Sequence, residues 1–296
     1  MYKRILVPLD GSELAEVVLP YAEGLAAGLG SELTLIHICA SEKADDYHAH
    51  EVYIQEMAEK IRGRSEAEGI KVHSAHLVGH TAEQIVDYAE TEKVGLIVMA
   101  THGRSGIRRW VLGDVASKVV RATNRPVALI RAEGGRPDVR ETGVVRKALV
   151  PLDGSKESEA IIPHIEELGS TLKAEVVLLH VMSPTYFVYS IPGETVQMPF
   201  TPEDMERFKE KAEHYLETVI AALKNRGINV KAEVSVGAAA DEIIRFADEI
   251  QADIVAMSTH GRSGISRWAF GSTADKVLHA GNTPVLLVRT PDGSTN

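Results

Sequence analysis

The sequence predicts an α/β protein of two tandem doubly wound domains. Each is expected to be a five-stranded parallel sheet in the order 3-2-1-4-5, with helices on both faces. Three observations predict this. Short apolar runs alternate with longer stretches of helical periodicity, the pattern of successive βα units. Two heptapeptides recur in the same order: LVPLDGS at Leu6–Ser12 and Leu149–Ser155, and THGRSGI at Thr101–Ile107 and Thr259–Ile265. Repeats this far apart mark a duplicated domain rather than a short-period solenoid. Right-handed crossovers then leave few strand orders, of which 3-2-1-4-5 is the natural one for five units.

The elements follow in order. Lys3–Leu9 reads as a strand. Ser12–Leu29 reads as one amphipathic helix, with Leu14, Val17, Val18, Tyr21 and Leu25 at helical spacing. Leu33–Ile38 is the second strand, Glu51–Glu68 the second helix and Ile70–Val78 the third strand. Thr81–Lys93 is a helix whose Thr81 and Gln84 have capping-box spacing. Gly95–Met99 is a buried strand followed by a glycine loop, a helix over Asp114–Ala122 and a last strand at Pro126–Arg131. The second copy repeats the pattern and ends on Pro284–Arg289. Its two heptapeptides stand 15 residues further apart, an excess assigned to Ser183–Pro202. Ala132–Gly143 reads as the linker, which sets the domains at 1–135 and 144–296.

Bulk properties narrow the function. At 296 residues, two domains of ordinary size are expected. The net charge of −10 argues against nonspecific binding to nucleic acid or anionic membrane. Cys39 is the only cysteine, which fits a reducing compartment. The N-terminus lacks a signal-peptide pattern, and no apolar run approaches the roughly 18 residues of a membrane span. A cytoplasmic protein is expected.

The strand order places a site. Ligands in open α/β sheets bind outside the carboxyl ends of strands where the order reverses, here between strands one and four. Strand one ends at Asp10 or Asp153, and strand four at Ala100 or Ser258. The two repeated heptapeptides should therefore meet in space. The loop after strand four has the spacing [AS]-x-x-G-x9-G-[DS], as Ala100, Gly103, Gly113 and Asp114, and as Ser258, Gly261, Gly271 and Ser272. Free N–H groups in such a loop and at the following helix start suit an anion. Neither a P-loop nor a GxGxxG occurs at a strand-to-helix turn, which speaks against a Walker ATPase and a dehydrogenase.

On these residues the chain resembles the universal stress protein family, in its tandem two-domain form, over nearly all of both halves. The family's ATP-binding members carry G-x2-G-x9-G-[ST] at this loop. The resemblance implies an α/β fold that binds ATP or a related adenine nucleotide, with Mg²⁺ as a possible companion. Gly261, Gly271 and Ser272 would hold the phosphates, within reach of Arg262; His260 would orient the loop by hydrogen bonding, and Thr273 belongs to the same binding set. Asp153 would lie near the ribose and adenine, and Val181 would line the base with Met257; Pro151, Leu152 and Ser258 complete the binding set. The first copy matches with Asp10, Ile38, Met99, Gly103 and Gly113. The family also implies pairing of domains through their last strands, here Val127–Arg131 with Val285–Arg289, and a possible homodimer.

Asp114 departs from the motif. An aspartate at a helix start can serve as a cap, but its charge would repel phosphate by roughly 4 kcal/mol at about 4 Å and an effective dielectric near 20. The second copy is therefore expected to be the better site. Asp45, Asp46, His48, His50 and Glu51 read as a polar loop rather than a metal site. No nucleophile–base pair or shared carboxylate pair is apparent, so a binder is expected rather than an enzyme. A slow ATPase or nucleotide-transferring enzyme, and a nucleotide-free interaction module, are the alternatives.

Overall fold

The computed structural model describes residues 1–40, 44–65, 69–101, 112–131, 145–183, 186–191, 194–261 and 271–290. In the N-terminal half, β1 (Arg4–Pro8), β2 (Glu32–Cys39), β3 (Val72–Val78), β4 (Leu96–Ala100) and β5 (Val127–Ile130) alternate with helices. These are α1 (Glu13–Glu16), α2 (Leu19–Leu29), α3 (Ala44–Ser65), α4 (Thr81–Thr91) and α5 (Asp114–Ala122). The C-terminal half carries β6 (Lys147–Pro151), β7 (Glu175–Met182), β8 (Tyr186–Ile191), β9 (Glu194–Pro199), β10 (Val230–Val236), β11 (Ile254–Ser258) and β12 (Val285–Val288). Its helices are α6 (Lys156–Glu159), α7 (Ile162–Thr171), α8 (Pro202–Lys224), α9 (Ala239–Glu249) and α10 (Ser272–Ala280).

Both halves have the expected order. The strands run β3-β2-β1-β4-β5 and then β12-β11-β6-β7-β10 in one ten-stranded sheet. Within each half the strands of this sheet pair parallel. The halves join where β5 and β12 pair antiparallel, with Val285 opposite Leu129, Leu286 opposite Ala128 and Leu287 opposite Val127. The expected pairing of last strands is thus made inside one chain, and the outer strands of the sheet are β3 and β10.

Alternation along each strand feeds two apolar layers. Leu33, Leu35, Leu178 and Leu286 face the layer shared with α2, α3, α7 and α8, through Leu25, Ile54, Ile165 and Leu216. Leu6, Ile36, Leu149 and Leu287 face the other, with Ile85 of α4, Val119 of α5, Ile243 of α9 and Val277 of α10. Strands covered on both faces read as unbroken apolar runs, which is why they stand out in the sequence.

Three expectations are corrected. The helix over Ser12–Leu29 is two helices, α1 and α2, broken at Val17 and Val18. Pro20 is the cause: it has no N–H for the Glu16 carbonyl, and its ring would clash with it. Pro163 breaks α6 from α7 in the same way. The acidic stretch from Asp45 to Glu51 is not a loop but the start of α3. Carboxylates in a first turn favour a helix there. Thr81 does not cap α4; His80 occupies the cap position without a side-chain bond, after Gly79 turns the chain at φ +140°. The extra residues of the second copy carry the antiparallel hairpin β8–β9.

Candidate functional site

The site begins where β6 and β11 lie side by side and their chains part. β6 leads across to β7, and β11 pairs on its other side with β12. A crevice opens at the carboxyl ends of such strands. Asp153 follows β6. Its Oδ1 accepts from the Ser155 N–H at 3.0 Å and the Ser155 hydroxyl at 2.5 Å. Gly154 holds φ +80°, a conformation that disfavours any residue with a Cβ. Ser155 then caps α6, accepting from the Ser158 N–H at 3.1 Å. The Asp-Gly-Ser motif is therefore a real turn and cap. It also aims the second carboxylate oxygen across the crevice. A Cβ built on Gly261 would stand 2.3 Å from Asp153 Oδ2.

The two heptapeptides thus meet as expected. The crevice between them is a cavity of about 760 Å³. Pro151, Leu152, Asp153, Val181, Met257, Ser258, His260, Gly261, Gly271, Ser272 and Thr273 all line it. Arg262 lies outside the described residues. His260 accepts or donates at Nδ1 with Thr259 Oγ1 at 3.0 Å. Its Nε2 is buried with no hydrogen-bond partner among the described residues.

The loop's hydrogen bonding corrects one expectation. The Gly271 N–H does not face the crevice as a free donor. It donates to the Thr259 carbonyl at 2.9 Å and closes the loop. Ser272 is likewise not the cap of α10, because Gly271 holds that position and no side chain caps the helix. The donors the fold offers are the first-turn N–H groups of α10, beginning at Ser272, which have no intrahelical acceptor.

A wall of the cavity was not foreseen. Met205, Phe208, Ala212 and Tyr215 of α8 line it, with Lys211 and Phe200 beside them. Their spacing is one helical face, a signal that sequence alone assigns equally to ordinary core. The Tyr215 hydroxyl donates to Glu159 at 2.9 Å. Burial, then the bond to Glu159, pushes the phenol well above its ordinary pKa, so it stays protonated.

The N-terminal half repeats the frame. Asp10 Oδ1 accepts from the Ser12 N–H at 3.0 Å and its hydroxyl at 2.6 Å. The Gly113 N–H donates to the Thr101 carbonyl at 2.8 Å. Ile38 is half-buried and Met99 buried in the α4–α5 layer. Gly103 lies outside the described residues. Asp114 does not cap α5; Gly113 takes that position. The Asp114 carboxylate is 78% exposed and pairs with Lys118 at 2.7 Å.

A model of the universal stress protein family matches residues 1–131 and again residues 145–289. The chain belongs to this family. It is 30% identical over 141 residues to universal stress protein MJ0531 of Methanocaldococcus jannaschii, covering 44% of this chain and 83% of that protein. A tandem relative, a universal stress protein of Mycolicibacterium smegmatis, is 24% identical over 299 residues and covers 96% of each chain. The fold matches that of a universal stress protein from Archaeoglobus fulgidus with a TM-score of 0.67 at 21% identity, covering 98% of this chain and 97% of the other. Among the described residues, no helix is long and apolar enough to cross a membrane. Nor could any group of three His, Cys, Asp or Glu side chains there hold a metal ion.

Proposed function

We propose that this universal stress protein binds an adenine nucleotide in its C-terminal crevice. In our reading it is a cytoplasmic binder of two domains, 1–135 and 144–296, that uses the nucleotide as a signal or stabiliser rather than as a substrate. The observation that carries this is the contact of Asp153 Oδ2 with the Gly261 backbone in the lining of a cavity of about 760 Å³. A cavity of that size accommodates a drug-sized ligand. A carboxylate in its lining suits ribose hydroxyls, which donate to it. The open first turn of α10 suits phosphate. His260 Nε2, buried and unpartnered among the described residues, gives the ligand a further polar contact. Mg²⁺, if bound, would be held chiefly by the polyphosphate.

A ligand that binds only the folded state raises stability by RT ln(1 + [L]/Kd). The test is mass spectrometry of nucleotide released from freshly purified, denatured protein, followed by thermal shifts with ATP, ADP and AMP. A shift saturating at one nucleotide per chain, without turnover, supports the reading. Turnover above that of a Gly261 variant would make the protein an enzyme. No shift with any of the three would leave an interaction module.

A further inference from the structure

The N-terminal half holds a cluster of side chains that the nucleotide reading does not use. His37 on β2 is 2% exposed. Its Nδ1 lies 2.8 Å from the Leu9 carbonyl. A carbonyl only accepts, so Nδ1 carries the proton and donates it. His50 on α3 stacks on His37 with ring centroids 4.5 Å apart. His76, opposite His37 in the β2–β3 register, lies 5.8 Å from His37 and 6.3 Å from His50. Tyr53 meets His37 edge-on at 5.7 Å, and Tyr47 lies 4.4 Å from His76. Both nitrogens of His76 are buried without a partner among the described residues.

The C-terminal half shows what these rings replace. Tyr53 donates to Glu16 as Tyr215 donates to Glu159, which aligns α3 with α8. Three residues before Tyr215 stands Ala212, a wall residue of the cavity; three before Tyr53 stands His50. His180 meets Tyr215 edge-on, as His37 meets Tyr53, but its partner across the sheet is Val234 where His37 has His76. Two small or aliphatic positions have thus become imidazoles packed on a third.

We propose that His37, His50 and His76 form a proton-operated gate between α3 and the ends of β2 and β3. As neutral rings they hold the first turns of α3 against the ends of β2 and β3. Once more than one is protonated, like charges at stacking distance drive α3 outward.

Among the described side chains, no neighbouring group cancels this. On α3, Glu51 is shared with His48 at 3.8 Å. Glu16 on α1 accepts from Tyr53. Asp10, after β1, is engaged by Ser12. Cys39 on β2 is a buried thiol. Burial, and then His50, holds the His76 pKa below its ordinary value, while Glu51 offsets part of that. A histidine depressed in the folded state titrates first in the open chain. Its contribution is therefore intact above about pH 6.5 and is lost as pH falls toward the folded value. The gate does not depend on the nucleotide reading.

The experiment compares amide exchange of α3 with that of α8, corrected for intrinsic rates, at about pH 7.5 and about pH 5.5. Wild-type α3 should lose roughly tenfold or more in protection relative to α8 on acidification. The variant His50→Ala with His76→Val, which copies the C-terminal half, should keep a constant ratio. Equal behaviour of α3 and α8 in the wild type, or an unchanged acid response in the variant, overturns the proposal. If the variant does not fold, ring-proton NMR of the wild type decides. Coupled titration with at least one ring below the ordinary range supports the gate, and three independent titrations near pH 6.5 sink it.

Discussion

Asp153 and Gly261 touch across the C-terminal crevice, although 107 intervening residues separate them in the chain. The contact exists because β6 and β11 are neighbours in the sheet and end at the same level. The carboxylate cannot swing aside cheaply, since its Oδ1 is held by both the amide and the hydroxyl of Ser155. Gly261 is therefore needed for space.

Gly261→Ala should weaken nucleotide binding while leaving the fold intact. The new methyl group would fall 2.3 Å from Asp153 Oδ2, so loop and carboxylate must separate. Titration calorimetry should show at least a roughly tenfold loss of affinity, which is about 1.4 kcal/mol. Unchanged affinity would mean that the ligand, if any, sits elsewhere.

Asp153 has two jobs that substitutions can separate. Asp153→Asn keeps an acceptor for Ser155 and removes the charge. It should weaken nucleotide binding with little effect on stability. Asp153→Ala also removes the two bonds from Ser155. It should cost about 2 kcal/mol of unfolding free energy as well. Paired urea melts and ligand titrations distinguish the two; equal stability of the two variants would show that the turn does not need the carboxylate.

Some of this was readable in the sequence because it rests on strong local signals. Unbroken apolar strands, the repeated heptapeptides and the crossover rule suffice for the sheet order and for the meeting of Asp153 with Gly261. What escaped depends on tertiary context. Pro20 and Pro163 split helices whose apolar periodicity runs straight through them. The Gly271 amide looked like a free donor until the Thr259 carbonyl was found against it. Phe208 and Tyr215 have the spacing of any buried helix face, and only the cavity reveals them as a wall. His37, His50 and His76 come from two strands and a helix, so no local pattern joins them.

Asp114→Ser makes the N-terminal loop match the C-terminal one, yet it should not create a second nucleotide site. The Asp114 carboxylate already points to solvent and Lys118. The difference between the halves lies deeper, at His50 and His76. Calorimetric stoichiometry should remain one per chain at neutral pH. Stability should fall by about 0.5 kcal/mol, through loss of a negative charge at a helix N-terminus and of an i,i+4 ion pair. A rise to two nucleotides per chain would make Asp114 alone the block.

Arg131 tests how firmly the halves are joined. Its guanidinium leaves the end of β5 and donates to the carbonyls of Leu278 and His279, the latter at 2.7 Å, near the C-terminus of α10. Burial lowers its pKa, but a guanidinium stays charged at any pH the fold survives. Arg131→Ala removes a cation from the negative pole of α10 and strips two carbonyls of their donor, which should cost about 2 kcal/mol. The backbone pairing of β5 with β12 remains, so calorimetry should still give one transition at a lower midpoint. Two resolved transitions would mean that the seam is held by this side chain rather than by the shared sheet. Arg131→Lys should recover only part of the loss, because Nη2 makes both bonds and the lysine side chain is one bond shorter.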